Sequence, residues 1–339
     1  MTPLIKPGKK WNSVDDFLVL LQEKNIKAEL GDFDKKNWDS LLLPASIEQA
    51  PKKTSFTYFS KQNSSIDFNG WGLVFVGMEN KKTANNVIAV SHPEAAMHII
   101  LQELSPAKWH GDNNSYSNLI CEANVHVGPD CIFGEHIKIQ ANARIGARVK
   151  IGSNSFIGAG VIIEDDCQIG ENCIIGANTS IGGQGFGLIN FPGSSFVQQR
   201  IHVGTVVIGN NVRIGSNVCI DKGVFENTTI CNNVSIDNLV QVGHNCVIGD
   251  GSVLCSFVGL SGSTKIGVGV TMAGQSVSAG HLTIGDGSTV AGASSVTKNI
   301  PPKSVVKGHP ARPIKEYQKS MATLARLPVL IKKLSEKKL

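Results

Sequence analysis

Aliphatic residues recur every six positions through most of this chain. In one register they run from Val127, Phe133 and Ile139 to Ile181, resume at Ile208, Ile214 and Ile220, and continue from Ile230 to Val296. Every one of these positions carries Val, Ile, Leu, Met or Phe except Ser278. Gly, Ala or Asp usually follows, and a small or β-branched residue stands four places after the aliphatic one, as in Ile145-Gly146-Ala147-Arg148-Val149. Six is too short a period for a helical repeat and too long for plain strand alternation. It fits a mainly β fold, a parallel β-helix with one short strand and one turn per hexad and three hexads per triangular coil. A single hexad cannot bury its apolar side, so stacked coils must bury a continuous one. Asn154, Asn172, Asn178, Asn210, Asn217 and Asn233 suit the corners, and the glycines suit turn conformations that side chains resist.

Two interruptions break the register. Residues 182–207 open with Gly182-Gly183-Gln184-Gly185-Phe186-Gly187, and ten residues instead of six separate Ile220 from Ile230. Insertions in solenoids become loops on one face, often the binding face. Before the repeat the pattern changes. Ser13-Val14-Asp15-Asp16 followed by Phe17, Leu18, Leu20 and Leu21 predicts a capped helix. Leu73-Val74-Phe75-Val76 and Val87-Ile88-Ala89-Val90 predict buried strands. A second helix should start at Pro93. Together these make a small α/β domain. After the repeat, Gly308-His309-Pro310-Ala311 ends the solenoid, and residues 314–339 have helical spacing with a kink expected at Pro328. Leu324, Leu327, Leu330, Ile331 and Leu334 on that helix also fit packing against copies of itself.

Composition narrows the picture a little. The 339 residues suggest two or three domains. The net charge of +5 argues neither for nor against nucleic acid, and none is expected among the partners. The charge is uneven: residues 307–339 carry nine Lys or Arg against two Glu, a local +7 that points to an acidic partner. No apolar run reaches the roughly 18 residues of a membrane span, and no signal-peptide pattern opens the chain. The eight Cys lack CxxC spacing, and Cys131, Cys167, Cys173 and Cys246 fall on the small-residue position of the hexad. They read as core fillers in a reducing compartment, with the cytoplasm as the expected location.

The nine His are the main source of chemistry. His244 stands two places after Val242, where a side chain points away from the packed interior, and His281 follows the irregular Ser278. Imidazole titrates near neutrality and can take a proton from an attacking amine or hydroxyl. The same chemistry needs an amide donor for the oxyanion, which a turn such as Ser261-Gly262-Ser263 can supply. No GxSxG elbow or activated Cys suggests a covalent route. His244 and His281 stand 37 residues apart without a third metal ligand, so no metal is expected.

The residues Ile181-Gly182-Gly183-Gln184-Gly185-Phe186-Gly187, Ile220-Asp221-Lys222-Gly223 and, above all, Ile236-Asp237-Asn238-Leu239-Val240-Gln241-Val242-Gly243-His244-Asn245 carry a narrower resemblance. Gly280-His281 and Gly308-His309-Pro310 follow in order. The chain is similar, over nearly its whole length, to the UDP-3-O-(3-hydroxyacyl)glucosamine N-acyltransferase family of lipid A biosynthesis. These are hexapeptide-repeat enzymes with a left-handed parallel β-helix. The resemblance implies a uridine-binding α/β domain at 1–108, the acyltransferase β-helix at 109–306, a basic helical extension at 307–339, and a homotrimer with clefts between subunits. His244 would be the general base, Asp237 would orient it, and the Gly262 N–H would hold the oxyanion. His281 would position substrate or pantetheine, and Asn238 and Gln241 would line the cleft. Phe186 and His202, in the long loop, would cover the acceptor, and Phe56 or Tyr58 would stack on uridine. The donor implied is a 3-hydroxyacyl chain on acyl carrier protein, held by its phosphopantetheine arm, with no further cofactor. The acceptor implied is UDP-3-O-(3-hydroxyacyl)glucosamine. Phe59 and Gln62 replace an Asn and a Tyr of the family's uridine element, and no Pro precedes His202. The alternatives are a related nucleotide-sugar acyltransferase with another acceptor or donor, and a non-catalytic trimeric scaffold.

Overall fold

In the computed structural model the described residues are 14–30, 43–44, 55–59, 73–78, 87–104, 119–190 and 197–336. The chain forms two compact units. The first joins Met1–His110 with Gln184–Thr205 and Gly223–Glu226, and the second holds the rest. Both interruptions of the repeat therefore belong with the N-terminal unit, although the boundaries 1–108 and 109–306 count them into the solenoid.

The N-terminal unit is a five-stranded sheet with two helices. Its elements are α1 (Val14–Glu23), β1 (Ala28–Leu30), β2 (Leu43–Pro44), β3 (Ser55–Phe59), β4 (Leu73–Gly77), β5 (Val87–Val90) and α2 (Pro93–Leu104). The strand order is β1-β5-β4-β3-β2. Only β1 runs antiparallel to its neighbour. The cap expected at Ser13 lies outside the described residues. α2 starts at Pro93, where the missing N–H costs nothing. Phe17, Phe56 and Phe75 form the centre of the core with Leu21, Ile88 and Ile100. Apolar side chains on the two excursions explain why these join this unit. Phe225 is buried in the same core, and Ile201, Val203 and Val224 pack against it. Backbone bonds from Val203 N to Val224 O (2.8 Å) and from Gly204 N to Gly223 O (3.0 Å) tie one excursion to the other.

The second unit is the parallel β-helix. Strands of two to four residues stack into nine-, eight- and eleven-stranded sheets, one per face of the coil. Within regular coils the register repeats every 18 residues, as in Ile145 with Ile163 and Val242 with Leu260. The aliphatic series forms one continuous buried column. Each fully buried Ile or Val contributes about 1.5–3 kcal/mol, and neighbouring coils share that burial. Ser278 is buried with the rest, and its hydroxyl lies 3.1 Å from Thr264 Oγ1, so its polarity is satisfied inside the column. It marks no exposed site.

The corners refine the expected reasons. Asn154, Asn172, Asn178, Asn217 and Asn233 take left-handed φ between 55° and 59°. At the sixth expected corner Asn211 adopts this conformation instead, and Asn210 accepts the Glu171 N–H. Most glycines that follow the aliphatic residue do not need positive φ. They are small because the next coil lies close: a Cβ on Gly176 would come within 2.4 Å of the Gly215 carbonyl carbon. Val305–Lys307 and Arg312–Pro313 pair antiparallel beyond the last coils. The helix α3 (Ile314–Glu336) follows and continues through Pro328. Lys307 Nζ and Arg312 Cζ lie 5.6 and 5.9 Å from the centroid of its Tyr317 ring.

Candidate active site

Three stacked turns of the nine-stranded face build the site around His244. The strand Gln241–Val242 places Val242 in the core, and the turn that follows the buried Gly243 leaves His244 half-buried. Its Nδ1 lies 3.0 Å from Asn245 Oδ1. An amide oxygen only accepts, so Nδ1 carries the proton in the neutral ring and Nε2 keeps its lone pair. That nitrogen faces the next coil at Gly262. A Cβ built there would lie 2.4 Å from Nε2 and 2.5 Å from Cε1. Glycine is present because the imidazole occupies the space, not because of its φ.

The Gly262 turn, against which the His244 ring lies, also leaves its N–H without a side-chain cap. In several other coils the residue at this place has its N–H capped by a side chain from one coil on. Asp165 caps Ala147 (2.9 Å), Asn238 caps Ser216 (2.7 Å), and Asp286 caps Val268 (2.8 Å). The residue one coil on from Gly262 is Gly280, which has no side chain to offer. An amide left open beside a base is the arrangement an oxyanion requires. His281 occupies the left-handed corner that follows (φ 60°), exposed, with its N–H on the Gly262 carbonyl at 3.0 Å.

Other expected residues separate. Asp237 follows a strand of the eleven-stranded sheet, while His244 follows one of the nine-stranded sheet. Within one chain the Asp237 carboxylate is held by the Ser256 hydroxyl and by the Asn238 N–H (2.8 Å) and Nδ2 (3.0 Å), not by His244. The Ser256 bond, followed by the Asn238 amide, holds this carboxyl below the usual range. Asn238 spends its own Oδ1 on the Ser216 cap. Gln241 does lie in the cluster. Its Nε2 donates to Asp221 Oδ2 at 3.1 Å. Asp221 was not among the expected residues, although Ile220-Asp221-Lys222-Gly223 carried part of the resemblance. Burial raises its carboxyl, while the Gln241 bond and the His244 charge oppose that rise. Burial also pushes the nearby Cys246 thiol up to about 12, which leaves no thiolate to act as a nucleophile.

In the N-terminal unit the aromatic expectations divide. Phe56 is fully buried, 6.4 Å from Phe17 between ring centroids, and cannot stack on a ligand. Phe56→Ala should cost about 3–5 kcal/mol of this unit's stability, read by thermal unfolding. An unchanged melting curve with a raised KM for a uridine nucleotide would contradict that placement. Tyr58 is half-buried. Its hydroxyl meets Arg200 Nη1 at 3.2 Å and Glu94 Oε1 at 3.4 Å, and Arg200 Nη2 pairs with Glu94 at 2.6 Å. Phe59 and Gln62 have no described side-chain environment. Phe186 is 81% exposed, at the base of a hairpin formed by Leu188–Asn190 and Val197–Gln199. His202 is buried, its N–H on Gln184 Oε1 at 2.9 Å, so its ring is not open to an acceptor.

Comparison with known proteins follows the same lines. Residues 148–183 and 227–262 match the bacterial transferase hexapeptide (six repeats) family. A UDP-3-O-acylglucosamine N-acyltransferase from Helicobacter hepaticus is 36% identical over 299 residues, 86% of this chain and 90% of that protein. One from Wolinella succinogenes is 40% identical over 144 residues, 42% of this chain and 45% of that one. Among solved structures, LpxA from Acinetobacter baumannii shares the solenoid fold. It superposes with a TM-score of 0.52 at 22% identity, over 59% of this chain and 77% of that chain.

Proposed function

This chain belongs to the UDP-3-O-acylglucosamine N-acyltransferase family and is an acyltransferase, and we propose that it transfers a 3-hydroxyacyl chain from acyl carrier protein to the 2-amine of a UDP-3-O-acylglucosamine in lipid A biosynthesis. The observation that carries the reading is the placement of His244. Nδ1 is fixed by Asn245, and Nε2 lies against the uncapped turn at Gly262.

The acceptor amine attacks the thioester carbonyl carbon, and its proton passes to Nε2. The carbonyl π pair moves onto oxygen, where the Gly262 N–H stabilises it. Collapse breaks the C–S bond, and the departing pantetheine thiolate takes the proton from the imidazolium. His281, exposed at the neighbouring corner, positions the pantetheine or the substrate. Tyr58, the aromatic of the pair that remains accessible, contacts the uridine end, with Phe186 on the exposed hairpin against the acceptor. The active form is a homotrimer in which Asp237 and Asn238 serve a cleft between copies. The basic helix α3, with Lys315, Lys319, Arg326, Lys332 and Lys333, meets the acidic carrier protein. No helix among the described residues is long and apolar enough to cross a membrane. The assigned substrates give the cytoplasm as the proposed site of the reaction.

Donor competition tests the carrier assignment. 3-Hydroxyacyl-acyl carrier protein should be used in preference to the same acyl group on coenzyme A and to acetyl-coenzyme A. The preference should weaken as salt screens the basic helix. Equal use of acetyl-coenzyme A would move the reading to a nucleotide-sugar N-acetyltransferase.

A further inference from the structure

We propose that Asp221 is the anionic partner of His244, a positioning residue whose carboxylate, fixed by Gln241, favours the imidazolium formed when the acceptor proton is taken. The inference rests on the reading of His244 as the base.

Its ground is the stacking of the coils. Ile220 pairs with Val242, so Asp221 stands opposite Gly243, one coil from His244 and one residue back along the turn. Adjacent strands lie about 4.8 Å apart, which puts the carboxylate within electrostatic reach of the ring. Gln241 donates to Oδ2 at 3.1 Å from the strand that leads directly into the turn of His244, so one stretch of chain braces both groups. Asp221 is half-buried, where the dielectric is lower and a charge acts more strongly on its neighbour. Asn245, whose Oδ1 meets Nδ1, sets the tautomer but as a neutral amide cannot balance a positive charge.

The other charges around the pair do not supply that balance. The strand Ser180–Gly183, on the far side of Asp221, and the turn Ser261–Ser263, on the far side of His244, bring no ionisable side chain. Glu164 lies farther along the same face, 3.9 Å from Arg144. Cys246 stays a neutral thiol, and Asp237 is engaged on another face. Lys222, next to Asp221, and His281, beyond Gly262, would if charged oppose the imidazolium rather than favour it.

The chemistry of the step explains the need. The proton leaves the amine as the C–N bond forms, and the ring becomes a cation until the thiolate departs with that proton. An anion one coil away favours this state without touching the substrate.

The test is Asp221→Asn, which keeps the size of the side chain and an oxygen for Gln241 Nε2. The protein carries isotope-labelled histidine, the His244 signal is assigned with His244→Gln, and the ring is followed by NMR across pH. Loss of the anion should lower the His244 midpoint by about one pH unit relative to wild type. The acid limb of kcat/KM should move to lower pH with it, and kcat should fall by about tenfold while the donor KM holds. Gln241→Leu, which only releases the carboxylate, should move the midpoint less and in the same direction. An identical midpoint in wild type and Asp221→Asn overturns the proposal, whatever happens to the rate. A lowered midpoint with an unmoved acid limb supports the pairing and removes His244 from the role of base.

Discussion

Replacing His244 with Ala should lower kcat by about 10²–10⁴-fold, the usual range for a positioned general base, and leave the protein folded. The two parts of this expectation have separate grounds. The ring is half-buried and turned away from the column that holds the solenoid together, which Val242 and its stacked neighbours form. Its hydrogen bond to Asn245 Oδ1 is made within the turn. A substitution away from core packing usually changes stability by no more than about 0.5 kcal/mol. The melting temperature should therefore stay close to that of wild type while product formation collapses. Mass spectrometry of the product and thermal denaturation of the same sample check both halves. A His244→Ala protein as active as wild type would remove His244 from the role of base.

Gly262→Ala should be nearly as damaging, through one methyl group. The nearest atoms to the new Cβ all belong to the His244 ring, at 2.4, 2.5 and 2.9 Å. A side chain can swing away where backbone cannot, so the coil should survive and the imidazole should move. The base then leaves its place beside the open N–H, and misplacement by about 1 Å can cost on the order of 10²-fold. Disturbing the oxyanion donor adds a loss of up to about 10²–10³-fold. Gly243→Ala makes the contrast. Its Cβ would meet Gly262 N and Leu260 O, both at 2.8 Å, which are backbone of the next coil. That variant should lose stability, whereas Gly262→Ala should lose rate. Unfolding curves and steady-state kinetics on both proteins separate the two effects.

The legibility of this fold in its sequence follows from how local each signal is. The hexad records a repeated environment, so Val242, Leu260 and Ile284 announce their burial directly. His244 could be read the same way, because its place in the hexad points outward. Asp237 is near His244 in sequence but on another face of the same chain, because a coil turns through a new face every six residues. Asp221 stayed hidden for the complementary reason. The ten-residue interval between Ile220 and Ile230 lengthens that coil, so the residue opposite Gly243 is 22 positions back instead of 18. The excursions looked like solenoid loops because nothing local in Ile201, Val203 or Phe225 says which apolar core they join. Phe56 and Tyr58 lie two apart on one strand and share a face of the sheet. Only the packing of α1 and α2 decides that Phe56 is sealed and Tyr58 is half-open. Corner glycines such as Gly160 take the expected positive φ, whereas most glycines after the aliphatic positions are needed for another reason. Close approach between coils, a property of the stack, excludes the side chain.

The most direct measurement supplies purified protein with 3-hydroxyacyl-acyl carrier protein and UDP-3-O-(3-hydroxyacyl)glucosamine and follows the sugar nucleotide by mass spectrometry. The account predicts a gain of one 3-hydroxyacyl group, joined to the 2-amine as an amide that survives mild alkali. No product, or a new acyl group that mild alkali removes as an ester, would contradict it.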